Sequence, residues 1–266
     1  MKISNKVFVV TGAGNGIGRE LTLQLINKNA RVAGIDLDKK NLLKTAELAG
    51  NRKSSFLPVE MNITDKIGAK ELPDKIISHF GSVDGLINNA GIIQKFVPVN
   101  ELSLDDVEKV FNVNFYGSLF LTKAFLPFLL NRPEAHIINI SSMGGFLPVP
   151  GQTVYGASKA ALKLFTEGLY AELKDSNVHV TVVFPGAIAT DISANSGLEV
   201  PPSDTESKFK PMPPDKAAAE ILSGIEKNSF RVLVGSDAKM LDKMYRIAPK
   251  FATDFITKKM AALLKT

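Results

Sequence analysis

Tyr155 and Lys159 stand four residues apart in Y-G-A-S-K, and Ser142 precedes the tyrosine by thirteen residues. On a helix, positions i and i+4 share a face, so a phenol and an ammonium at this spacing point into one space. A neighbouring cation favours the phenolate and is expected to lower a tyrosine pKa that starts near about 10. A phenol tuned that way takes or gives a proton near neutral pH. Far upstream, T-G-A-G-N-G-I-G at 11–18 supplies the other half of such a reaction, a turn that can receive a dinucleotide.

Within that turn, Gly12 allows the tight bend. Gly16 lets a pyrophosphate approach the backbone, and Gly18 lets the following helix pack closely. The helix start then offers free N–H groups to the phosphates. Asp36 lies eighteen residues beyond Gly18. A carboxylate there can accept both ribose hydroxyls and would repel a 2′-phosphate. Asn15 is not basic and no arginine follows Asp36, while Lys39 and Lys40 are expected on an exposed helix start. NAD is therefore expected in preference to NADP. The plainer alternatives are a glycine turn without a ligand and an Asp36 that caps the helix starting near residue 38.

The elements that must carry these groups alternate along the chain. Strands are expected at 7–11, 31–36, 55–59, 83–88, 136–141, 179–184 and 231–234. Helices are expected at 16–29, 38–49, 65–80, 103–130, 153–175 and 214–228. Several strands are apolar on both faces, as in a parallel sheet covered by helices. The expected fold is α/β, a doubly wound parallel sheet of about seven strands with helices on both faces. One domain is expected over 1–266, with a polar, proline-rich lid at about 191–213 and a basic helical tail at about 236–266.

Composition removes several function classes. A net charge of +5 over 266 residues, without a basic run interleaved with aromatics, argues against nucleic acid. With no cysteine, disulfides, thiolate catalysis and zinc–thiolate sites are excluded, and no metal site is expected. The apolar run at 7–10 is short for a secretory segment and leads into the glycine turn. No uninterrupted apolar stretch of about 18 residues follows, so membrane association is not expected and a cytoplasmic location is.

Taken together, these motifs resemble the short-chain dehydrogenase/reductases, in the branch of roughly 250-residue NAD(P)-dependent oxidoreductases. The resemblance runs from Val7 to about Thr190. It rests on T-G-A-G-N-G-I-G at 11–18, N-N-A-G at 88–91, N-F-Y-G at 114–117, I-S-S at 140–142, Y-G-A-S-K at 155–159 and P-G-A-I-A-T at 185–190. It implies a single-domain Rossmann fold and hydride exchange between a nicotinamide and a secondary alcohol or ketone. Tyr155 would be the general acid/base, with Lys159 holding the nicotinamide ribose and lowering the tyrosine pKa. Ser142 would bond the substrate oxygen, and Asn114 would shape its helix and hold a water that relays protons from Lys159. The cofactor would meet Gly12, Asn15, Gly16, Ile17, Gly18, Asp36, Asn62, Ile63, Asn89, Ala90, Gly91, Tyr155, Lys159, Pro185, Gly186, Ile188 and Thr190, with Asn88 beside the cleft. Asn62 departs from the family's usual aspartate, and its amide oxygen is expected to accept from the adenine amino group.

Substrate contacts are expected from Gln94, Met143, Phe146, Gln152 and Ala187. The stretch 143–150 is apolar, and Lys95 is the only clear cation nearby. A neutral, apolar substrate of steroid-like, retinoid-like or medium-chain type follows, because an anionic one would want a positive clamp. Alternatively, Phe146 and Leu147 pack into the neighbouring core. Family members commonly pair the helix over 103–130 and the helix bearing Tyr155 across a two-fold axis, here through Phe115, Leu119, Phe120, Leu162 and Leu169. A homodimer or homotetramer is implied, and the basic tail is expected to pack on its own domain or a partner subunit, the alternative being contact with anionic lipid. A non-catalytic dinucleotide sensor is the competing reading, though this chain keeps Ser142, Tyr155 and Lys159. Enoyl reductases of the superfamily space tyrosine and lysine more widely. Epimerases and dehydratases on this fold carry a larger C-terminal domain.

Overall fold

Val7 and Val9 of β1 (Val7–Thr11) bury into one apolar cluster, while Phe8 and Val10 bury into another. That alternation is the period-2 rule of a strand covered on both faces. The computed structural model describes residues 1–190, 192–197 and 211–260. β1 lies inside a seven-stranded sheet with β2 (Arg31–Asp36), β3 (Phe56–Glu60), β4 (Gly85–Asn88), β5 (Ala135–Ile140), β6 (Val178–Pro185) and β7 (Arg231–Val234). The order is β3-β2-β1-β4-β5-β6-β7, and every pairing is parallel. The chain thus builds outward from β1 in one direction, returns, and builds outward in the other. The reversal between β1 and β4 is a topological switch point, where the loops beyond the strands' carboxyl ends part to leave a crevice.

One face is covered by α1 (Gly16–Asn27), α2 (Lys39–Leu48) and α8 (Pro214–Glu226), through Leu21, Leu25, Leu42, Ile221 and Ile225. The other is covered by α3 (Lys66–Phe80) and α5 (Ser118–Leu130), through Leu72, Ile76, Leu121, Phe125 and Leu129. Side-chain caps fix the helix starts: Asn15 for α1, Asp38 for α2, Asp65 for α3 and Ser103 for α4 (Leu104–Phe111). The expected helix over 103–130 is a continuous rod with a π-helical segment, Asn112–Gly117, between α4 and α5. The rod is long and apolar enough to cross a membrane, and its inner face forms part of the core.

Two strand starts and one helix face differ from expectation for local reasons. Residues 50–55 form a 3₁₀ segment, so β3 begins at Phe56. β4 begins at Gly85, because Asp84 instead takes the Val7 amide on its carboxylate. In α6 (Thr153–Glu172), Leu162 and Leu169 are buried rather than outward-facing, which removes them from the expected subunit contact. Leu164 and Tyr170 are the exposed apolar residues on that helix. Most of the expected lid lies outside the described residues. Within it, α7 (Ile192–Asn195) is a short helix, and Met212 forms a parallel bridge with Ile188. The tail is two helices, α9 (Ser236–Ile247) and α10 (Pro249–Met260), and residues 261–266 lie outside the description.

Candidate active site

The expected catalytic groups converge at the carboxyl ends of β4 and β5. Ser142 follows β5 and opens a 3₁₀ turn, Met143–Gly145, by accepting the Gly144 amide at 3.0 Å. Tyr155 and Lys159 lie on the first turns of α6. The turn is drawn onto that helix at two points. Ser141 Oγ donates to the Lys159 carbonyl at 2.8 Å, and a Cβ on Gly145 would lie 2.9 Å from that same carbonyl oxygen. The result brings Ser142 and Tyr155 together: a Cβ on Gly144 would be 3.4 Å from Tyr155 Cε1 and 3.5 Å from Ser142 Oγ. The Ser142 hydroxyl is thereby set beside the Tyr155 side chain.

Burial dominates the electrostatics. Lys159 is buried and its pKa falls to about 8, because an ammonium out of water loses solvation. Its Nζ donates to the Ile140 carbonyl at 3.0 Å. The Tyr155 phenol moves the other way from expectation. Desolvation of the phenolate raises its pKa, and the Ser142 hydrogen bond opposes that shift without reversing it. In the protein alone Tyr155 is therefore a neutral phenol, a proton donor, and the lowering expected from Lys159 does not prevail.

Asn114 sits in the π-helical segment and is fully buried. Its Nδ2 donates to the Ile92 carbonyl and to Ser158 Oγ, both at 2.9 Å, and its Oδ1 accepts the Ile92 amide. Ser158 in turn donates to the Tyr155 carbonyl at 2.7 Å. Asn114 thus ties the segment after β4 to the helix that carries Tyr155. A Cβ on Gly91 would lie 3.0 Å from Lys159 Nζ and 3.2 Å from Asn114 Oδ1, so both polar atoms border one small space.

The cofactor-side residues form a cradle that side chains would fill. Gly12 and Gly16 have φ of +67° and +51°, a conformation that suits glycine. A Cβ on Gly18 would lie 2.0 Å from the Gly12 carbonyl oxygen. Asn15 caps α1 through the Gly16 amide, and Ile17 packs against the core. The N-N-A-G turn is pinned over the loop by Thr11, whose Oγ1 accepts the Asn89 and Ala90 amides at 2.9 Å. Asn88 is buried deeper and donates to Asn139 and Thr122, so it is part of the core. Asp36 accepts the Gly14 amide at 2.8 Å and the Asp38 amide at 3.0 Å, which fixes its carboxylate at the loop. The cap of α2 is Asp38, not Asp36. Ile63 is buried against Gly117. Asn62 differs from expectation: its amide oxygen already accepts both the amide and the hydroxyl of Thr64, which occupies the lone pairs expected for adenine.

Across the cleft, Pro185 ends β6 and Thr190 approaches the glycine loop, its Cγ2 lying 3.1 Å from where a Gly16 Cβ would stand. Ile188 packs on the core and pairs with Met212. Asp237, in the first turn of α9, anchors this segment by accepting the Ala187 amide at 2.7 Å, with Gly186 packed so closely that a Cβ would meet the carboxylate at 2.2 Å. Sequence reasoning missed Asp237, which lies fifty residues from its partner.

Two expected substrate contacts have structural partners instead. Gln94 is buried, and its Oε1 accepts the Val154 and Tyr155 amides at 2.8 Å, capping the start of α6. Its Nε2 donates to Gly151. Gln152 is also buried and donates to the Gln94 carbonyl at 2.8 Å, while its Oε1 has no partner. Met143 and Phe146 border a third apolar cluster that includes Leu147, Leu241, Ala252 and Ile256, and Phe146 packs edge-on to Phe184. The alternative reading of Phe146 and Leu147 as core residues therefore holds for Leu147 in full and for Phe146 in part.

Comparison with known proteins fits this arrangement. The family model described as short chain dehydrogenase matches residues 6–200. The chain is 36% identical over 252 residues to the protein named SadH of Mycobacterium tuberculosis, an oxidoreductase by name alone, covering 91% of this chain and 90% of that one. It is 34% identical over 193 residues to the 3-oxoacyl-[acyl-carrier-protein] reductase FabG of Thermotoga maritima, covering 73% and 78% of the two chains. A short-chain dehydrogenase from Burkholderia cenocepacia, solved with NADP, superposes with a TM-score of 0.81 at 28% identity, covering 96% of this chain and 99% of that one. Another from Burkholderia phymatum, solved with NAD, gives 0.83 at 24% identity and shares the fold, covering 93% and 96%. The matched sequence, the parallel seven-stranded sheet and the cradle at its switch point show that this chain belongs to the short-chain dehydrogenase/reductases, a family of nicotinamide-dependent oxidoreductases.

Proposed function

We propose that the protein interconverts a neutral, apolar secondary alcohol and its ketone, with NAD preferred over NADP. The observation that carries this reading is that Ser142 and Tyr155 border one space beside Gly144, with Lys159 and Asn114 bordering another beside Gly91. When bound, the nicotinamide supplies or accepts the hydride. The remaining work belongs to this chain. Ser142 and Tyr155 each direct a hydroxyl at a carbonyl oxygen, stabilising the charge that develops there. Tyr155, held as a neutral phenol, gives its proton to that oxygen during reduction and takes it back during oxidation. Lys159, charged below about pH 8, favours the phenolate that results. A water between Lys159 Nζ and Asn114 Oδ1 then replaces the proton from solvent.

Asp36 supports the choice of NAD. Its carboxylate is fixed by two backbone amides and can take ribose hydroxyls, whereas a 2′-phosphate would meet its charge. Met143, Phe146 and Ala187 support an apolar substrate, and 3-oxoacyl reduction by a relative lies in the same reaction class.

Purified protein mixed with NAD and a panel of secondary alcohols, followed by NADH absorbance, tests the reaction. Tyr155→Phe is expected to abolish turnover and leave the Kd for NAD within about twofold, since the lost hydroxyl acts on the reacting oxygen. Retained turnover in that variant would sink the mechanism. NADH is expected to bind at least about tenfold more tightly than NADPH. The reverse preference, measured by fluorescence titration, would refute the role given to Asp36.

A further inference from the structure

The two faces of the α9–α10 hairpin serve different purposes. Inward, Leu241, Ala252 and Ile256 pack with Leu147, bordered by Met143 and Phe146. Outward, Met240, Ile247 and Phe251 are exposed, the last two at 74% and 62%. Met240, Lys243 and Ile247 follow the i, i+3, i+7 spacing of one helical face, and Phe251, Asp254 and Lys258 follow it on α10. Ile247 and Phe251 flank the elbow at residues 248–249, so the two apolar side chains project from a bend.

Charge around this knuckle is one-sided. Lys239, Lys243, Arg246, Lys250, Lys258 and Lys259 are all exposed. Asp254 is the only exposed acid among the described residues of the two helices. Asp237 is occupied inward by the Ala187 amide, and Asp242 pairs with Arg231 and Arg246. Lys239 pairs with Glu220 and Lys250 with Asp254, so Lys243, Lys258 and Lys259 are the cations of this surface without an acidic partner among the described residues. An apolar projection ringed by cations is complementary to anionic headgroups lying over an apolar interior. A second copy of this chain fits poorly, because a two-fold contact would set these cations against one another.

We propose that the α9–α10 elbow docks on an anionic phospholipid bilayer, with Ile247 and Phe251 entering the acyl boundary and Lys243, Lys250 and Lys258 facing the headgroups. The opposite face of the same helices meets Met143 and Phe146, so docking sets the substrate loop one helix layer from the lipid. The surface is independent of the reaction assigned above, and its test reads binding rather than turnover.

Full-length protein is sedimented with vesicles of phosphatidylcholine alone and of phosphatidylcholine mixed with phosphatidylserine. It is expected to bind the mixed vesicles at low salt, and at least about tenfold more weakly the neutral ones, because each surface lysine adds to attraction for anionic lipid. Ile247→Ser with Phe251→Ser, and separately Lys243→Glu with Lys258→Glu, are each expected to lower partitioning about tenfold. The melting temperature and the turnover of a water-soluble ketone should not change. No sedimentation with mixed vesicles, or variants that bind like the parent, overturns the proposal. So does dissociation of an oligomer by the serine pair in sedimentation velocity, since that assigns the patch to a second copy. If turnover is absent from every protein while vesicle binding behaves as described, the reaction fails and the docking surface stands.

Discussion

Lys159 is the residue at which function and stability oppose each other. Its ammonium is buried, with the Ile140 carbonyl as a hydrogen-bond partner, and its pKa drops to about 8 from 10.5. A depression of that size corresponds to a cost on the order of 3 kcal/mol for carrying the charge in the native state. Lys159→Met keeps most of the volume and removes the charge. Leaving the Ile140 carbonyl unpaired returns about 1 kcal/mol of that gain. The variant is therefore expected to be more stable by about 2 kcal/mol at pH 7 and to be inactive. Below pH 8 both folded and unfolded chains hold the proton, and the cost is present in full. Between about 8 and 10.5 the native lysine sheds its proton while the unfolded one keeps it, so the parent regains stability as pH rises. Urea unfolding of both proteins at pH 7 and pH 10 checks this, and a variant no more stable at pH 7 refutes it. The same titration acts on rate. In the proposed reaction, ketone reduction draws on a charged Lys159, so kcat/KM for reduction should decline above about pH 8.

At the scale of elements, the reacting groups are held by ties between segments distant in sequence. Gln94 is the clearest case. It lies after β4, yet its Oε1 takes the Val154 and Tyr155 amides in the first turn of α6, sixty residues away. Removing that acceptor leaves two part-buried donors unpaired at the helix start and lets Tyr155 drift. Gln94→Leu is expected to lower kcat about tenfold or more, with the Kd for NAD nearly unchanged, because small displacements of a reacting group are costly. A fall in melting temperature with kcat intact would show a merely structural role. The strands and motifs around this tie were legible in the sequence, since period-2 apolar runs and glycine turns are local signals. Tyr155 and Lys159 were legible because helical spacing sets both on one face, while Ser142 was legible only through the order of the family's motifs. Gln94 was misread as a substrate contact, for nothing local reveals a cap made at such distance. The π segment at Asn114 was also hidden, because an i→i+5 turn leaves no trace in composition. The raised Tyr155 pKa depends on burial, which spacing does not report.

At the scale of the whole molecule, the site lies at the carboxyl rim of the sheet, while the far end of β5 buries a histidine that must stay uncharged. His136 is completely buried there, with Nε2 at 2.7 Å from Thr181 Oγ1. Thr181 donates its own proton to the Ser229 carbonyl, so Nε2 must be the donor and the proton must reside on it. Nδ1 is then a bare acceptor, buried and without a partner. Protonating it would place a cation in the core beside the ring of His179, 5.6 Å away. Burial first, and His179 second, hold the His136 pKa down to about 3. In the unfolded chain it returns to 6.5. Between those values the unfolded state binds a proton that the native state refuses, so stability is complete above 6.5 and declines as pH falls toward 3. The slope is about 1.4 kcal/mol per pH unit, or about 2 kcal/mol between pH 6.5 and pH 5. His136→Gln carries no titrating ring and is expected to lose that much less on acidification, even if it starts less stable. Urea midpoints of the two proteins at pH 7.5 and pH 5 measure the difference in slope. Equal slopes would mean that the native core admits the imidazolium, and that another group carries the acid sensitivity of the fold.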